Sequence, residues 1–454
     1  MDTDALDSDH DHILEGRLIM RISIFSVGSR GDVQPASLLA RELLDRGHDV
    51  VLGTPDDLVG LPGSLGVPTR PLGFSARALL DSEEGAKWLA AGDMRAFARG
   101  VMRFKTERRA GFVEALTEAA EGSDLIVSGV NTMEEASGLA QVGRIPLAGL
   151  YYAPRRANPY FPAYPVTTRD LGRTLNRLTY RLVDRSEWRI SARYVNLFRA
   201  ELGLRPVSTS LTSRLRRIPP LEVQAYSSVL VPQLADWSER RPLTGFITPT
   251  PVQRRLWGES GHDAELLDWL GSGAPTVYFG FGSMPVKDPQ RVIELVSRVA
   301  ARLGVRALIA AGWSQYAAAD ERAGRAGTDR VRVVGEVDHG AVLPLCVAAV
   351  HHGGAGTTAA SVSAGLPTVV ASMNFDQPFW GRRLEELGIG ALLPYAELTE
   401  RSLAAALAPL LRPAVVERAR AVGRALSAES GVGRAADVLE RYASEAAESR
   451  RLGL

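Results

Sequence analysis

His351-His352-Gly353-Gly354-Ala355-Gly356-Thr357-Thr358 decides how this chain is read. An apolar run, Val347 to Val350, leads into it and reads as a buried strand; the alanine-rich Thr357 to Ala364 that follows reads as a helix. The glycines and histidines therefore fall on a strand-to-helix turn. Such a turn aims unpaired backbone N–H groups and the positive end of a helix at one point. Glycine lets a bulky anion approach the backbone closely. The expected ligand is the diphosphate of a nucleotide, cradled by Gly353, Gly354, Ala355, Gly356 and Thr357. Thr357 and Thr358 fall in the first helical turn, where they can cap or touch phosphate. His352 beside the turn can neutralise charge building on a departing diphosphate. The competing reading makes either histidine a buried, hydrogen-bonded residue.

Outward from this turn the pattern repeats. Strands are predicted at Thr276–Gly280, Arg306–Ala310, Val331–Val334 and Thr368–Ala371, and helices at 289–303, 357–365, 378–388 and 399–411. The first half alternates in the same way. A strand Ile22–Val27 precedes a helix from about Pro35 to Arg46, Pro being suited to a first helical turn. Val50–Leu52, Leu125–Val127 and Pro146–Leu150 read as further strands, with helix at 132–142 and helical periodicity over 83–121. The chain is thus expected to be α/β, with two Rossmann-like domains whose parallel sheets face each other across a cleft. The boundaries read as a disordered N-terminal extension at 1–19, a first domain at 20–236 and a Pro- and charge-rich linker at 237–262. A second domain spans 263–430, and 431–454 carries a C-terminal helix. An Arg-rich helical stretch over about 169–203 places Leu171, Leu175, Leu178, Leu182 and Trp188 at helical spacing. It is read as a solvated face over a packed one; the alternative is contact with a membrane surface.

Composition narrows the function. The 454 residues exceed what one core serves, and 45% hydrophobic with 23% charged residues is an ordinary globular profile. A formal net charge of +1 gives no electrostatic argument for nucleic acid. The single Cys346 excludes an intrachain disulfide and reads as buried filler. No uncharged apolar stretch exceeds about ten residues, too short for a transmembrane segment, and the acidic N-terminus has the wrong sign for a secretory signal. A cytoplasmic protein is expected; the sequence is silent on oligomeric state. No Gly-Lys pair exists for a Walker loop, and Pro285 stands where a dinucleotide fingerprint starting at Gly280 needs glycine.

Other candidates also follow strands. Ser283, in Gly280-Phe281-Gly282-Ser283-Met284, can donate to phosphate. Asp376-Gln377 can hydrogen-bond the vicinal hydroxyls of a sugar; the alternative for Asp376 is a helix cap. Trp313 and His339 can wall a nucleotide site, Trp313 by stacking on a base; plain packing is the alternative for both. In the first half, Gly28-Ser29-Arg30-Gly31-Asp32-Val33-Gln34-Pro35 places Asp32 at the cleft. A carboxylate there can take the proton of an attacking hydroxyl; otherwise it caps the following helix. The loop holding Tyr151, Tyr152, Pro154, Tyr160, Phe161 and Tyr164 can form an aromatic pocket for a flat, apolar acceptor, or pack as core.

From Met20 onward the chain resembles family 1 glycosyltransferases of the GT-B fold, on the strength of the 351–358 turn with Asp376-Gln377-Pro378. The Gly28–Pro35 motif is similar to that of the branch holding sterol glucosyltransferases and bacterial antibiotic glycosyltransferases. Gly280–Met284 and Asp376–Gly381 look like the sterol enzymes; Val334-Gly335-Glu336-Val337-Asp338-His339 looks like the glycopeptide-antibiotic enzymes. The resemblance implies an inverting hexosyltransferase that needs no metal or other cofactor, taking a nucleotide sugar as donor and a hydrophobic sterol, polyketide or antibiotic aglycone as acceptor. It implies Asp32 as base, His352 on the diphosphate, and Asp376 and Gln377 on the sugar; by their positions after strands, Ser29 and Ser283 are assigned to the diphosphate and Trp313, Val337 and His339 to the nucleoside. It also suggests that the C-terminal helix crosses back onto the first domain. Many members carry a ribose-binding Glu eight residues after the diphosphate His. Here that position is Ala360, which leaves UDP-glucose (favoured, since the sterol branch also lacks the Glu) and a dTDP-deoxysugar both open. The alternatives in activity are a nucleotide-sugar epimerase or hydrolase on the same fold, and a non-catalytic partner protein.

Overall fold

The computed structural model describes residues 13–14, 17–80, 82, 84–85, 87–88, 93–216, 219–259, 264–281, 288–310, 330–335 and 337–452. Two short strands, β1 (Ile13–Leu14) and β2 (Arg17–Leu18), pair antiparallel within the stretch expected to lack structure.

Two six-stranded sheets follow. The first comprises β3 (Arg21–Phe25), β4 (Asp49–Thr54), β5 (Thr69–Pro71), β6 (Leu125–Gly129), β7 (Leu147–Tyr151) and β8 (Leu221–Gln224), in the order β5-β4-β3-β6-β7-β8. The second comprises β9 (Thr276–Gly280), β10 (Arg306–Ala310), β11 (Val331–Val334), β12 (Ala348–His351), β13 (Thr368–Ser372) and β14 (Gly390–Pro394), in the order β11-β10-β9-β12-β13-β14. All pairings within both sheets are parallel. Central strands such as Leu-Ile-Val-Ser-Gly and Ala-Ala-Val-His are buried along their whole length, because helices cover both faces. The expected α/β arrangement of two parallel sheets is what forms.

Each order reverses direction once, between β3 and β6 in one sheet and between β9 and β12 in the other. Open parallel sheets bind ligands in the crevice outside such a switch point, at the carboxyl ends of the strands. The Asp32 motif follows β3 and the glycine turn follows β12, so both stand at switch points.

Separate cores fill the space beneath each sheet. The C-terminal helix, Gly431–Arg451, packs Ala435, Ala436, Leu439 and Ala443 into the first sheet's core. Its Glu440 accepts from Arg46 at 2.9 Å and meets His48 Nε2 at 2.9 Å. A further apolar cluster joins Phe161, Tyr226 and Phe246 from the first half to Phe379, Trp380 and Leu384 from the second.

Several sequence expectations need correction. The helix placed at about Pro35 begins at Arg30, because Ser29 and Asp32 form a capping box one turn earlier; Pro35 lies inside it. β5, β8 and β14 were not anticipated. β5 is a three-residue edge strand ending in proline, and β14 opens on glycine and closes on proline. β8 reads as polar because it holds Glu222, 2% exposed, which accepts from Arg156 at 2.5 Å and Arg241 at 2.7 Å. On the long helix Arg173–Glu201 the row Leu175, Leu178 and Leu182 is not packed. The inward positions are Asn176, Thr179 and Tyr180, whose polar groups hold the loop before the helix.

Candidate functional site

Asp32 sits at the third position of the helix Arg30–Asp45, and its Oδ2 accepts from Ser29 N at 2.9 Å and from Ser29 Oγ at 3.4 Å. Gly28 makes the room: its φ is +149°, and a Cβ there would lie 2.1 Å from Asp32 Oδ2. The backbone carbonyl of Asp32 accepts from Tyr152 Oη at 3.0 Å and Ser26 Oγ at 2.9 Å, which pins the residue from the ends of β7 and β3. Capping and presentation to the crevice are thus compatible. Burial pushes the Asp32 carboxyl up to about 7; the Ser29 amide draws it down, and the charge of Asp376 pushes it up again. That last influence joins the two halves of the chain: a carboxyl after β3 feels a carboxyl after β13.

Asp376 occupies the cap position of the helix Gln377–Glu386, but its side chain makes no capping bond. Its Oδ2 instead accepts from Trp380 Nε1 at 2.9 Å. Burial pushes Asp376 up to about 6, against the Trp380 bond and, more weakly, the positive charge of Arg155. Gln377 is 3% exposed and spends its Oε1 on the amides of Met373 at 2.7 Å and Asn374 at 3.0 Å. That fixes the side chain so that its NH2 end is the part left to donate.

The glycine turn is shaped by contacts that forbid side chains. Gly353 has φ +91°, and a Cβ there would lie 2.3 Å from Val370 Cγ1. At Gly354 a Cβ would lie 2.6 Å from His352 Nε2, so the imidazole folds over the turn. The helix Ala355–Ser363 starts without a side-chain cap, leaving the amides of Ala355, Gly356 and Thr357 for a ligand. Neither Thr357 nor Thr358 caps it. Two buried polar atoms here, His352 Nδ1 and Thr358 Oγ1, have no hydrogen-bond partner among the described residues. Groups of this kind cost about 1–3 kcal/mol each when left unsatisfied, an arrangement suited to a polar ligand. Burial pushes the His352 imidazole down to about 4, so at neutral pH it is an uncharged donor or acceptor. His351 is structural: its Nδ1 accepts from Gly353 N at 3.0 Å, which leaves Nε2 to donate to Ser361 Oγ at 3.0 Å.

His339 meets Tyr278 Oη at 2.9 Å and is pushed down to about 3, first by burial and then by the charges of Arg254 and Arg30. Val337 is 6% exposed and belongs to the core under the second sheet. Ser283 and Trp313 lie outside the described residues.

The aromatic loop divides. Tyr151 is buried, its hydroxyl accepting from Arg156 at 2.7 Å, and its ring fills the space above Gly149. Pro154 is buried; Phe161 packs edge-on to Phe379 of the second half at 5.4 Å. Tyr152 reaches Asp32, and Tyr160 is exposed beside Arg173. The loop therefore spends Tyr151 and Phe161 on packing, while Tyr152 is bonded to the Asp32 carbonyl and Tyr160 stays exposed.

Sequence reasoning passed over the connecting residues. Arg30 pairs with Glu259, Glu259 with Arg254 at 3.0 Å, and Arg254 with Asp338 at 3.4 Å. This ionic chain runs from the Asp32 motif to Asp338, which caps the short helix His339–Val342. Arg383, 3% exposed, donates to the Leu230 carbonyl at 2.9 Å and lies over the Phe161 ring. Phe375, at φ +58°, meets Phe97 across the crevice at 5.9 Å. A non-glycine left-handed residue next to Asp376 is strain of the kind held at binding loops. Only the adjacency of Phe375 and Arg155 to named motifs could have drawn attention to them.

Comparison with known proteins bears on the family and the fold. Residues 317–430 match the family described as erythromycin biosynthesis protein CIII-like, C-terminal domain. An uncharacterised glycosyltransferase of Mycobacterium leprae is 34% identical over 432 residues, covering 94% of this chain and 97% of that protein. The O-mycaminosyltylonolide 6-deoxyallosyltransferase of Streptomyces fradiae is 32% identical over 435 residues, covering 93% and 98% respectively. The crystal structure of the calicheamicin glycosyltransferase CalG4 superposes with a TM-score of 0.66 at 20% identity, over 94% of this chain and 99% of that one.

Proposed function

The chain belongs to the GT-B-fold glycosyltransferases related to bacterial natural-product enzymes, and from that premise we propose that it moves a sugar from a nucleoside diphosphate donor to a hydroxyl of a hydrophobic acceptor, inverting the anomeric carbon. The reading rests on one observation: a carboxyl held by Ser29 after β3 and a glycine turn after β12, with His352 Nδ1 and Thr358 Oγ1 buried and unpartnered among the described residues, stand at the switch points of the two sheets; burial also pushes the Asp32 carboxyl up to about 7. A base with its pKa near the working pH is matched to proton abstraction from an alcohol. In this mechanism the acceptor hydroxyl gives its proton to Asp32 while its oxygen attacks the anomeric carbon. The bond from that carbon to the diphosphate oxygen breaks, and its electron pair stays on the diphosphate. The amides of Ala355, Gly356 and Thr357, with His352, stabilise the departing anion. Asp376 and the Gln377 amide hold sugar hydroxyls, and Tyr152 and Tyr160 border the acceptor.

For the donor, a dTDP-deoxysugar replaces UDP-glucose as the favoured choice. Ala360 offers no carboxylate to ribose hydroxyls, and a deoxyribose lacks the 2′-hydroxyl that such a group would bind. The Streptomyces relative is also named for transfer of a 6-deoxyallosyl group, onto O-mycaminosyltylonolide. Incubating the protein with a dTDP-sugar or with UDP-glucose, each with and without lipophilic alcohols, tests the proposal. Acceptor-dependent product supports transfer; turnover of donor alone supports the epimerase or hydrolase alternative. Absence of donor binding by calorimetry supports a non-catalytic partner.

A further inference from the structure

The long helix Arg173–Glu201 carries an exposed face that the transfer reading does not use. Leu175 is 51% exposed, Leu178 44% and Leu182 55%, and Leu171 just before the helix is 41% exposed. Residues at these spacings share one side of a helix. Arginine recurs at every fourth position, from Arg173 through Arg177, Arg181, Arg185 and Arg189 to Arg193, each exposed; a four-residue step drifts by about 40° around a helix, so the row winds round it and the later members, Arg185, Arg189 and Arg193, are the ones that fall beside the leucines. Among the described residues none of these six is in an ion pair with an acidic side chain. The acids on the same helix are engaged by other elements: Asp184 accepts from Ser210 Oγ at 2.7 Å, the exposed Glu187 from Arg155 at 2.6 Å, and Glu201 is held by Arg109. The opposite side is firmly seated, through Tyr180, Tyr194, Val195 and Phe198.

We propose that this face docks flat on an anionic lipid bilayer, the leucine row entering the headgroup–acyl boundary and the arginine ridge binding lipid phosphates. A helix with adjoining apolar and basic strips lies in an interface in this way, and arginines outside ion pairs supply the charge complementarity. No described helix is long and apolar enough to cross a membrane, so the contact is peripheral. A second copy of the chain is a poorer occupant, since a two-fold contact would set like-charged ridges against each other. The helix also anchors the 158–164 loop, through Asn176 to the Pro159 carbonyl at 3.0 Å and Thr179 to the Ala163 amide at 2.8 Å.

The test needs no sugar transfer, so it stands or falls apart from the enzymatic reading. The full chain is sedimented with phosphatidylcholine vesicles, with and without phosphatidylglycerol. Pelleting only with the anionic vesicles, reversed by salt, is expected. Arg185→Gln/Arg189→Gln/Arg193→Gln should weaken vesicle binding by about tenfold or more. Leu175→Ser/Leu178→Ser/Leu182→Ser should weaken it to a similar degree, with the thermal midpoint of both variants unchanged because all six positions are exposed. Failure to pellet, equal pelleting with neutral vesicles, or undiminished binding by either variant overturns the proposal. So does a concentration-dependent dimer that both variants abolish in the absence of vesicle binding.

Discussion

Changing Asp32 to Asn separates what this carboxyl does for catalysis from what it costs the fold. Its pKa moves from 3.8 to about 7 on folding. At about 1.4 kcal/mol per unit, a shift of roughly three units corresponds to at most about 4 kcal/mol. The group is half-buried, and solvent screening reduces this to roughly 1–2 kcal/mol. The sign follows from the direction of the shift. A carboxyl raised on folding contributes its full stability below the unfolded pKa and loses it as pH rises through the folded one. Asn does not ionise, and its carbonyl oxygen can still accept from the Ser29 amide that Asp32 Oδ2 meets at 2.9 Å. Asp32→Asn should therefore match the wild type below about pH 4 and exceed it by pH 8, raising Tm by roughly 2–8 °C there. Transfer should fall by about 10²-fold or more, with donor binding intact. Scanning calorimetry across this pH range, paired with turnover on one donor and acceptor, reads both effects. Near-normal turnover, or a stability difference that does not grow with pH, would refute the reasoning.

Other perturbations have equally definite outcomes. Gly353→Ala combines a left-handed backbone with a Cβ 2.3 Å from Val370 Cγ1; it should cost about 2–3 kcal/mol in urea unfolding and abolish the thermal shift given by a dTDP-sugar. His352→Ala should lower turnover roughly 10²-fold by removing a diphosphate contact, while chemical unfolding shows stability unchanged or slightly improved, because an unsatisfied buried nitrogen goes with the ring. Glu222→Ala leaves Arg156 and Arg241 without their shared carboxylate and should destabilise the first domain by about 3 kcal/mol in the same assay.

The two sheets and the glycine turn were legible because their signals are local. Continuous apolar runs mark strands buried on both faces, and glycines mark turns whose crowding, as at Gly353 and Gly354, excludes side chains. Local signals also misled. Pro35 looked like a first helical residue, yet the Ser29–Asp32 capping box starts the helix at Arg30. The leucines of the long helix have the spacing of a packed face, but the seated face is built from Asn176, Thr179 and Tyr180. What joins the halves was not legible at all. Arg383 finds the Leu230 carbonyl, Phe161 finds Phe379, and Asp32 feels Asp376; each pair is distant in sequence and carries no periodicity. In the Asp376–Gly381 motif, Asp376 accepts from Trp380 and Gln377 from the amides of Met373 and Asn374, while Phe379 and Trp380 pack between the halves, a division that the motif alone does not disclose.

The central claim is that Asp32 acts as base while sharing one desolvated site with Asp376. The pH dependence of kcat/KM for sugar transfer, measured on the wild type and on Asp376→Asn, tests it most directly. The account predicts an acidic limb near pH 7 in the wild type and a limb moved to lower pH in the variant, because a neutral amide no longer opposes ionisation of Asp32. A flat profile between pH 5 and 8 (about the range over which such a base titrates), or a limb that stays in place in Asp376→Asn, would contradict it.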